Sequence, residues 1–178
     1  MGIIINILSM FMRIKNGLNQ FENEQVLLAV AGDRTAKFFI AGDGKIDEVG
    51  EVEELVPEYS DNEGFFGGKK GGSTGRMGNP NHEVSKEYLF NKFVKKFEAK
   101  VAEAEAGRTG LLIYLFAPSF IHKMLIESLP KAMAARIKMN IEGNFNHATP
   151  FELIELIEKH RVGGSPVTND KVRKILEK

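Results

Sequence analysis

The chain has 178 residues, with 24 Lys and Arg against 24 Asp and Glu, and apolar and charged residues make up 43% and 27% of it. That length suits one ordinary domain with its own core, and the zero net charge excludes a whole-domain field for holding nucleic acid, so any phosphate contact must be local. The absence of cysteine removes disulfide and thiolate chemistry and fits a reducing compartment, the cytoplasm.

The first residues, MGIIINILSMFMRIK, are apolar but interrupted by Asn6 and closed by Arg13, short of the roughly 20 residues of a spanning helix. They lack a basic n-region and a small-residue cleavage site. Asn6 also stands where a myristoylation motif wants Ser or Thr. A soluble protein is expected, without a membrane partner. The segment is read, in order of preference, as an amphipathic helix or added strand packed on the domain, as the result of a natural start at Met10 or Met12, or as a membrane contact. The organisation expected is an N-terminal apolar extension over 1–24, an α/β domain over 25–160, and a linker with a short tail helix over 161–178.

From Gln25, the runs VLLAVA and AKFFIA and a stretch carrying Ile46, Val49, Val52 and Leu55 are punctuated by Gly-Asp and Asp-Gly. This pattern predicts three antiparallel strands in a meander. Asn79, Pro80 and Glu83 suit a helix start. Val84, Tyr88, Phe90, Phe93, Val94, Phe97 and Val101 then recur at helical steps as far as Gly107. LLIYLFAPS reads as a strand buried on both faces, a helix over about 119–129 follows, and Pro130 ends it. Ile137, Met139 and Ile141 alternate with Lys138, Asn140 and Glu142, which predicts a strand whose Asn140 side faces water. Thr149 and Pro150 open a last helix.

Meander, helix, strand, helix, strand, helix is the order of a ribonuclease H-like mixed sheet. Nucleases of that fold hold divalent cations with acids on the first and fourth strands and the first long helix. VLLAVA and LLIYLF carry no acid, so metal-dependent nuclease chemistry is not expected, and no cofactor or metal is assigned.

The stretch GFFGGKKGGSTGRMGNP packs six glycines and three cations, with no acid, between Gly67 and Gly78. Glycines clear side chains so that backbone N–H groups can approach an oxygen-rich ligand. Lys69, Lys70 and Arg76 can neutralise phosphates. Neither a P-loop nor a dinucleotide fingerprint is present. Gly68-Lys69-Lys70-Gly71 resembles the clamp loop of a KH domain, but lies between a strand region and a helix rather than between two short helices. Composition alone leaves two readings open, a solvated linker and a nucleic-acid contact. The acidic 47–64 stretch reads as a solvated strand and loop able to mask the basic loop. Among the histidines, His82 is either a base for water or a helix-start surface residue, His122 and His147 are read as structural or exposed, and His160 suits a helix end. The Phe90, Phe93, Phe97 stripe is read as core.

VLLAVAGDRTAKFFIAGDGKI, the basic Gly-Gly loop, the Phe-rich helix and LLIYLFAPSFIHKMLIESLP, with its Ala-Pro-x-Phe turn at Ala117 to Phe120, together resemble a known family. It is the middle domain of archaeal and eukaryotic class I peptide-chain release factors and their Pelota relatives. The chain is still more similar to the small stand-alone bacterial and archaeal versions, a group that includes proteins labelled as required for attachment to host cells. The resemblance covers roughly residues 25–160. It implies a Gly-Gly-Gln tripeptide that enters the peptidyl-transferase centre and helps position water against the peptidyl-tRNA ester. The matching positions are Gly71, Gly72 and Ser73, so serine stands where the family has glutamine, and hydrolysis is thereby in doubt.

The expectation is a ribosome- or tRNA-associated protein of translation termination or rescue. Gly67, Gly68, Lys69, Lys70 and Arg76 would contact RNA, and Gly71, Gly72, Ser73 and His82 are the catalytic candidates. A protein partner supplies ribosome recognition, or the ribosome has lost its codon. The alternative is a non-catalytic interaction module or homo-oligomer, assembled through the N-terminal segment, with the glycine loop as a mere connection.

Overall fold

VLLAVA forms β2 (Val26–Ala31), and all six residues are buried. Leu27, Ala29 and Ala31 enter one hydrophobic cluster, and Val26, Leu28 and Val30 enter another, as a strand covered on both faces must. The computed structural model describes residues 12–55 and 86–162. Its strands are β1 (Met12–Arg13), β2, β3 (Thr35–Gly42), β4 (Lys45–Glu53), β5 (Leu112–Ala117) and β6 (Ile137–Glu142); its helices are α1 (Lys86–Glu105), α2 (Ser119–Ser128), α3 (Lys131–Ala134) and α4 (Pro150–Val162). The sheet order is β1-β4-β3-β2-β5-β6. β2, β3 and β4 are the antiparallel meander, and β5 and β6 run parallel to β2. This is the ribonuclease H-like arrangement expected from the sequence.

The β3–β4 hairpin turns on two residues, Asp43 and Gly44, both at positive φ (49° and 73°), as a tight hairpin of matching twist requires. On one face of the sheet α1, α2 and α3 cover Phe38, Leu115 and their neighbours; on the other, α4 brings Leu153, Ile154 and Ile157 over Leu28, Tyr114 and Phe116. The Phe stripe of α1 is core: Phe93 and Phe97 are buried, and Phe97 lies 5.3 Å from Phe38, ring centre to ring centre. Burial of each such ring is worth about 1.5–3 kcal/mol. Before residue 25, β1 pairs with Lys45 and Ile46 of β4, and Ile14 and Phe21 are buried in the α4-side cluster.

Two expectations need correction. Ile46, Val49 and Val52 do not alternate along one face. β4 carries an extra residue, Val49, where the register with β3 shifts between Phe38 and Phe39; Ile46 therefore packs on the α4 side while Val49 and Val52 pack on the α1 side. In β6 the register shift opposite Ile113 and Tyr114 leaves Lys138 without a β5 partner and pairs Asn140 with Leu115. Asn140 lies on the face opposite Met139 and Ile141, as alternation expects, but that face is covered by the α1–α2 layer, so Asn140 is 2% exposed rather than wet. α3, a single turn after Pro130, was not expected, and the predicted helix start at Asn79 and Pro80 and the tail helix lie outside the described residues. Among the described residues, no helix is long and apolar enough to cross a membrane.

Candidate nucleic-acid interface

β4 runs with β2 because β3 is antiparallel to both, so β2, β4, β5 and β6 all finish at the same end of the sheet. α1 leads into β5, α2 leads out of it, and α4 follows β6, so each of these helices starts at that end and runs back along the strands. Two helix N-termini, those of α2 and α4, with the partial positive charge of unpaired N–H groups, therefore lie where the strands end. α4's is already satisfied: the Thr149 N–H and hydroxyl donate to Glu152 at 2.7 and 2.9 Å, and Thr149 Oγ1 accepts from the Glu152 N–H at 3.3 Å. These bonds, the backbone one first, hold the Glu152 carboxyl below its ordinary range. α2 starts after Pro118 with no side-chain cap and no acid in its first turn.

Residues 56–85 connect β4 to α1 in the sequence. Every sequence-predicted site residue, Gly67, Gly68, Lys69, Lys70, Gly71, Gly72, Ser73, Arg76 and His82, belongs to that connection and lies outside the described residues. What the structure describes is how β4 and α1, the elements on either side of it, are tied together. Glu54, only 8% exposed, sits 2.6 Å from Lys96 Nζ and 3.7 Å from Lys92 Nζ of α1. Lys96 also donates to the Glu53 carbonyl at 2.8 Å, and the Glu54 N–H donates to the Arg34 carbonyl at 2.9 Å. The Lys96 hydrogen bond, opposed by the desolvation of burial and supported by Lys92, holds the Glu54 carboxyl below its usual range. From Lys96 back to Lys86 the helix axis rises about 15 Å. Along that stretch Tyr88 stands 53% exposed, with the Lys92 ammonium 5.0 Å from its ring centre.

The β2–β3 turn and the β6–α4 loop close the same end. A Cβ on Gly32 would meet Asn146 Nδ2 at 2.1 Å, so the Asn146 amide occupies space that only glycine leaves open. Beside it, a cavity of about 350 Å³ is lined by Asp33, Arg34, Thr35, Glu53, Glu54, Leu55 and Asn146. Its acids are engaged in part: Asp33 pairs with Arg34 at 3.6 Å, and Glu54 with the two lysines. β2 and β5 end in Ala31 and Ala117, so neither strand offers an oxygen ligand of the kind a hard cation needs. Among the described residues, no group of three or more His, Asp and Glu is placed to hold a metal. The other histidines lie apart: His122 is buried in α2, His147 is exposed, and His160 Nδ1 is 2.8 Å from the Leu156 carbonyl.

The Glu54 clamp escaped the sequence reading. Lys92 and Lys96 stood out only as polar residues off the apolar stripe of α1, and nothing in DEVGEVEEL distinguishes Glu54 from its exposed neighbours.

No family model and no curated protein matches the chain. Among solved structures it is similar to the archaeal translation termination factor aRF1, with 11% identity and a TM-score of 0.45 over 81% of this chain and 43% of that one. It is also similar to a protein described only as archaeal, with 11% identity and a TM-score of 0.41 over 85% of this chain and 45% of the other. The chain thus spans less than half the length of either. Likeness at this level carries nothing about activity.

Proposed function

We propose that the chain is a cytoplasmic, release-factor-like protein that associates with the ribosome or with tRNA, in translation termination or rescue, and contacts RNA through residues 67–78. The observation that supports this reading is the clamp of Glu54 on Lys92 and Lys96, which ties the end of β4 to α1, the two elements between which the basic glycine segment lies in sequence. Lys69, Lys70 and Arg76 take backbone phosphates, and the glycines at 67, 68, 71 and 72 let the main chain approach closely. Backbone amides there can stabilise charge developing on an ester oxygen. Ser73 and His82 are the side chains to test for peptidyl-tRNA hydrolysis, since a serine hydroxyl without a base is a poor nucleophile. A protein partner or a ribosome without a codon completes recognition.

The test is co-sedimentation with purified ribosomes across a salt series, with Lys69→Glu combined with Lys70→Glu alongside. The expected result is binding that weakens steeply with salt, and its loss in the double variant, with fold and mass unchanged. Unchanged co-sedimentation of the variant overturns the reading. The competing reading, an interaction module or homo-oligomer joined through the N-terminal apolar segment, instead requires that deleting residues 1–12 change the mass measured by light scattering.

A further inference from the structure

Asn16 and Gly17 are the only Asn-Gly pair in the chain, and both stand exposed in a turn. The Leu18 N–H donates to the Lys15 carbonyl at 3.2 Å, and Gly17, the third residue of that turn, has φ 95°, the left-handed region that such a turn gives to glycine. Gln20 holds the turn at its ends, its Nε2 donating to the Lys15 and Leu18 carbonyls at 3.0 and 2.7 Å. The peptide unit between Asn16 and Gly17 is left out of these bonds. A Cβ on Gly17 would meet nothing within 4 Å. Neither the Asn16 carboxamide nor the Gly17 N–H has a hydrogen-bond partner among the described residues.

A main-chain nitrogen that follows asparagine can lose its proton to base and attack the side-chain carbonyl carbon. Glycine, without a Cβ, leaves that approach open. The bond from Gly17 N to Asn16 Cγ forms as the Cγ–Nδ2 bond breaks, and Nδ2 leaves as ammonia with a proton taken from water. Water then opens the succinimide ring at one of its two carbonyls. Opening at Cγ gives aspartate; opening at the main-chain carbonyl carbon gives isoaspartate, whose backbone runs through Cβ and Cγ. Either way, one carboxamide and one water become one carboxylate and one ammonium.

The chain's one Asp-Gly pair, Asp43 and Gly44, could close the same ring with loss of water, but there the fold stands in the way. The Gly44 N–H donates to the Gln20 carbonyl at 2.7 Å, and the Asp43 N–H donates to the Phe21 carbonyl at 3.2 Å. A nitrogen whose hydrogen is held in so short a bond is not free to attack.

We propose that Asn16 is a site of covalent modification, deamidating in the folded protein to aspartate and isoaspartate through a succinimide with Gly17. The product lowers the chain's zero formal net charge by one. As isoaspartate it also adds a carbon to the main chain between Ile14 and Phe21, both buried in the α4-side cluster, so the turn that joins these two anchors is lengthened. None of this depends on residues 67–78 or on RNA.

The experiment incubates the full, folded chain at neutral and at mildly alkaline pH, with a synthetic peptide of residues 13–20 beside it, and maps proteolytic fragments by mass spectrometry. Isoaspartate is read by transfer of a labelled methyl group from S-adenosylmethionine by an isoaspartyl methyltransferase. The expected result is conversion at Asn16 on the peptide's timescale, faster at the higher pH, with no isoaspartate at Asp43 until urea unfolds the chain. Asn16→Gln, whose longer side chain disfavours the ring, removes the signal and leaves circular dichroism and the urea midpoint unchanged. The proposal is overturned if Asn16 stays intact while the peptide reacts, if Asn16→Gln leaves the isoaspartate in place, or if Asp43 reacts in the folded chain as fast as Asn16.

Discussion

Asn140 offers the sharpest test of the packing. Its side chain is 2% exposed, and neither Nδ2 nor Oδ1 has a hydrogen-bond partner; it faces the α1–α2 layer beside Leu115. A buried amide in that position forfeits its bonds to water and regains none. The penalty for an unsatisfied buried polar group is about 1–3 kcal/mol, whereas an apolar group of the same shape carries no such penalty. Leucine has the same branched heavy-atom skeleton as asparagine, so Asn140→Leu is expected to stabilise the fold by about 1–3 kcal/mol, or roughly 2–4 °C in Tm for each kcal/mol in a chain of this size. Urea and thermal unfolding followed by circular dichroism measure it, with Asn140→Asp as the opposite control, since a charge placed there lacks both solvent and a partner. A lower midpoint for Asn140→Leu would refute the reasoning, because it would mean that the amide has polar partners whose loss outweighs the gain.

Two further outcomes follow from the end of the sheet where the helices begin. Gly32→Ala must displace the Asn146 amide, the far end of a side chain that can rotate away, so only a small loss of stability is expected, and adding Asn146→Ala should remove it; urea midpoints of the single and double variants give the coupling, and additivity would show that the two do not share the space. Glu152, whose folded pKa lies below its ordinary value of 4.5, stabilises the α4 start fully above that value and loses the contribution as pH falls through the lower folded pKa. Glu152→Gln should therefore flatten stability against pH in the acid range, and Thr149→Ala should cost about 0.5–2 kcal/mol near neutrality.

The residues that revealed the fold were those under a single strong constraint. VLLAVA and LLIYLF are apolar throughout because both faces of the central strands are covered, and Thr149-Pro150 with Glu152 marks a helix start by hydrogen bonds local in sequence. Alternation failed at β4 because a bulge inserts one residue and reverses the faces beyond it, and a bulge depends on the partner strand, which no local window contains; at β6 Met139, Asn140 and Ile141 alternate as expected, and what no local window contains is the helical layer that covers the Asn140 face. α3 was missed because four residues are too few to display a helical period. At the candidate interface the glycines and cations of 67–78 stand out in the sequence but lie outside the described residues, and the clamp beside them was not legible. Glu54 is one of several acids in a row, and its burial against Lys92 and Lys96 arises only when α1 lies across the end of β4.

That anchor separates positioning from contact in a way the loop cations cannot. Lys69, Lys70 and Arg76, if they meet phosphates, each add to the salt dependence of binding, because every neutralised phosphate releases counterions. Glu54 would contribute no charge to that contact; by tying β4 to α1 it would reduce the ordering left to be completed on binding. Glu54→Gln keeps the size of the side chain while removing its ion pairs with Lys92 and Lys96. The expected result in the ribosome co-sedimentation assay is weaker binding at every salt concentration with an unchanged salt slope, whereas Lys69→Glu with Lys70→Glu lowers the slope as well. Lowering the pH gives a second readout: the Glu54 carboxyl, held below 4.5, supports the wild-type fold above that value and ceases to as pH falls through its folded pKa, a loss the Gln variant should lack. If Glu54→Gln binds ribosomes as the wild type does while its acid-range stability profile flattens, the clamp stabilises the domain and has no part in presenting the loop. A changed salt slope in that variant would instead mean that Lys92 and Lys96, once released, themselves reach the RNA.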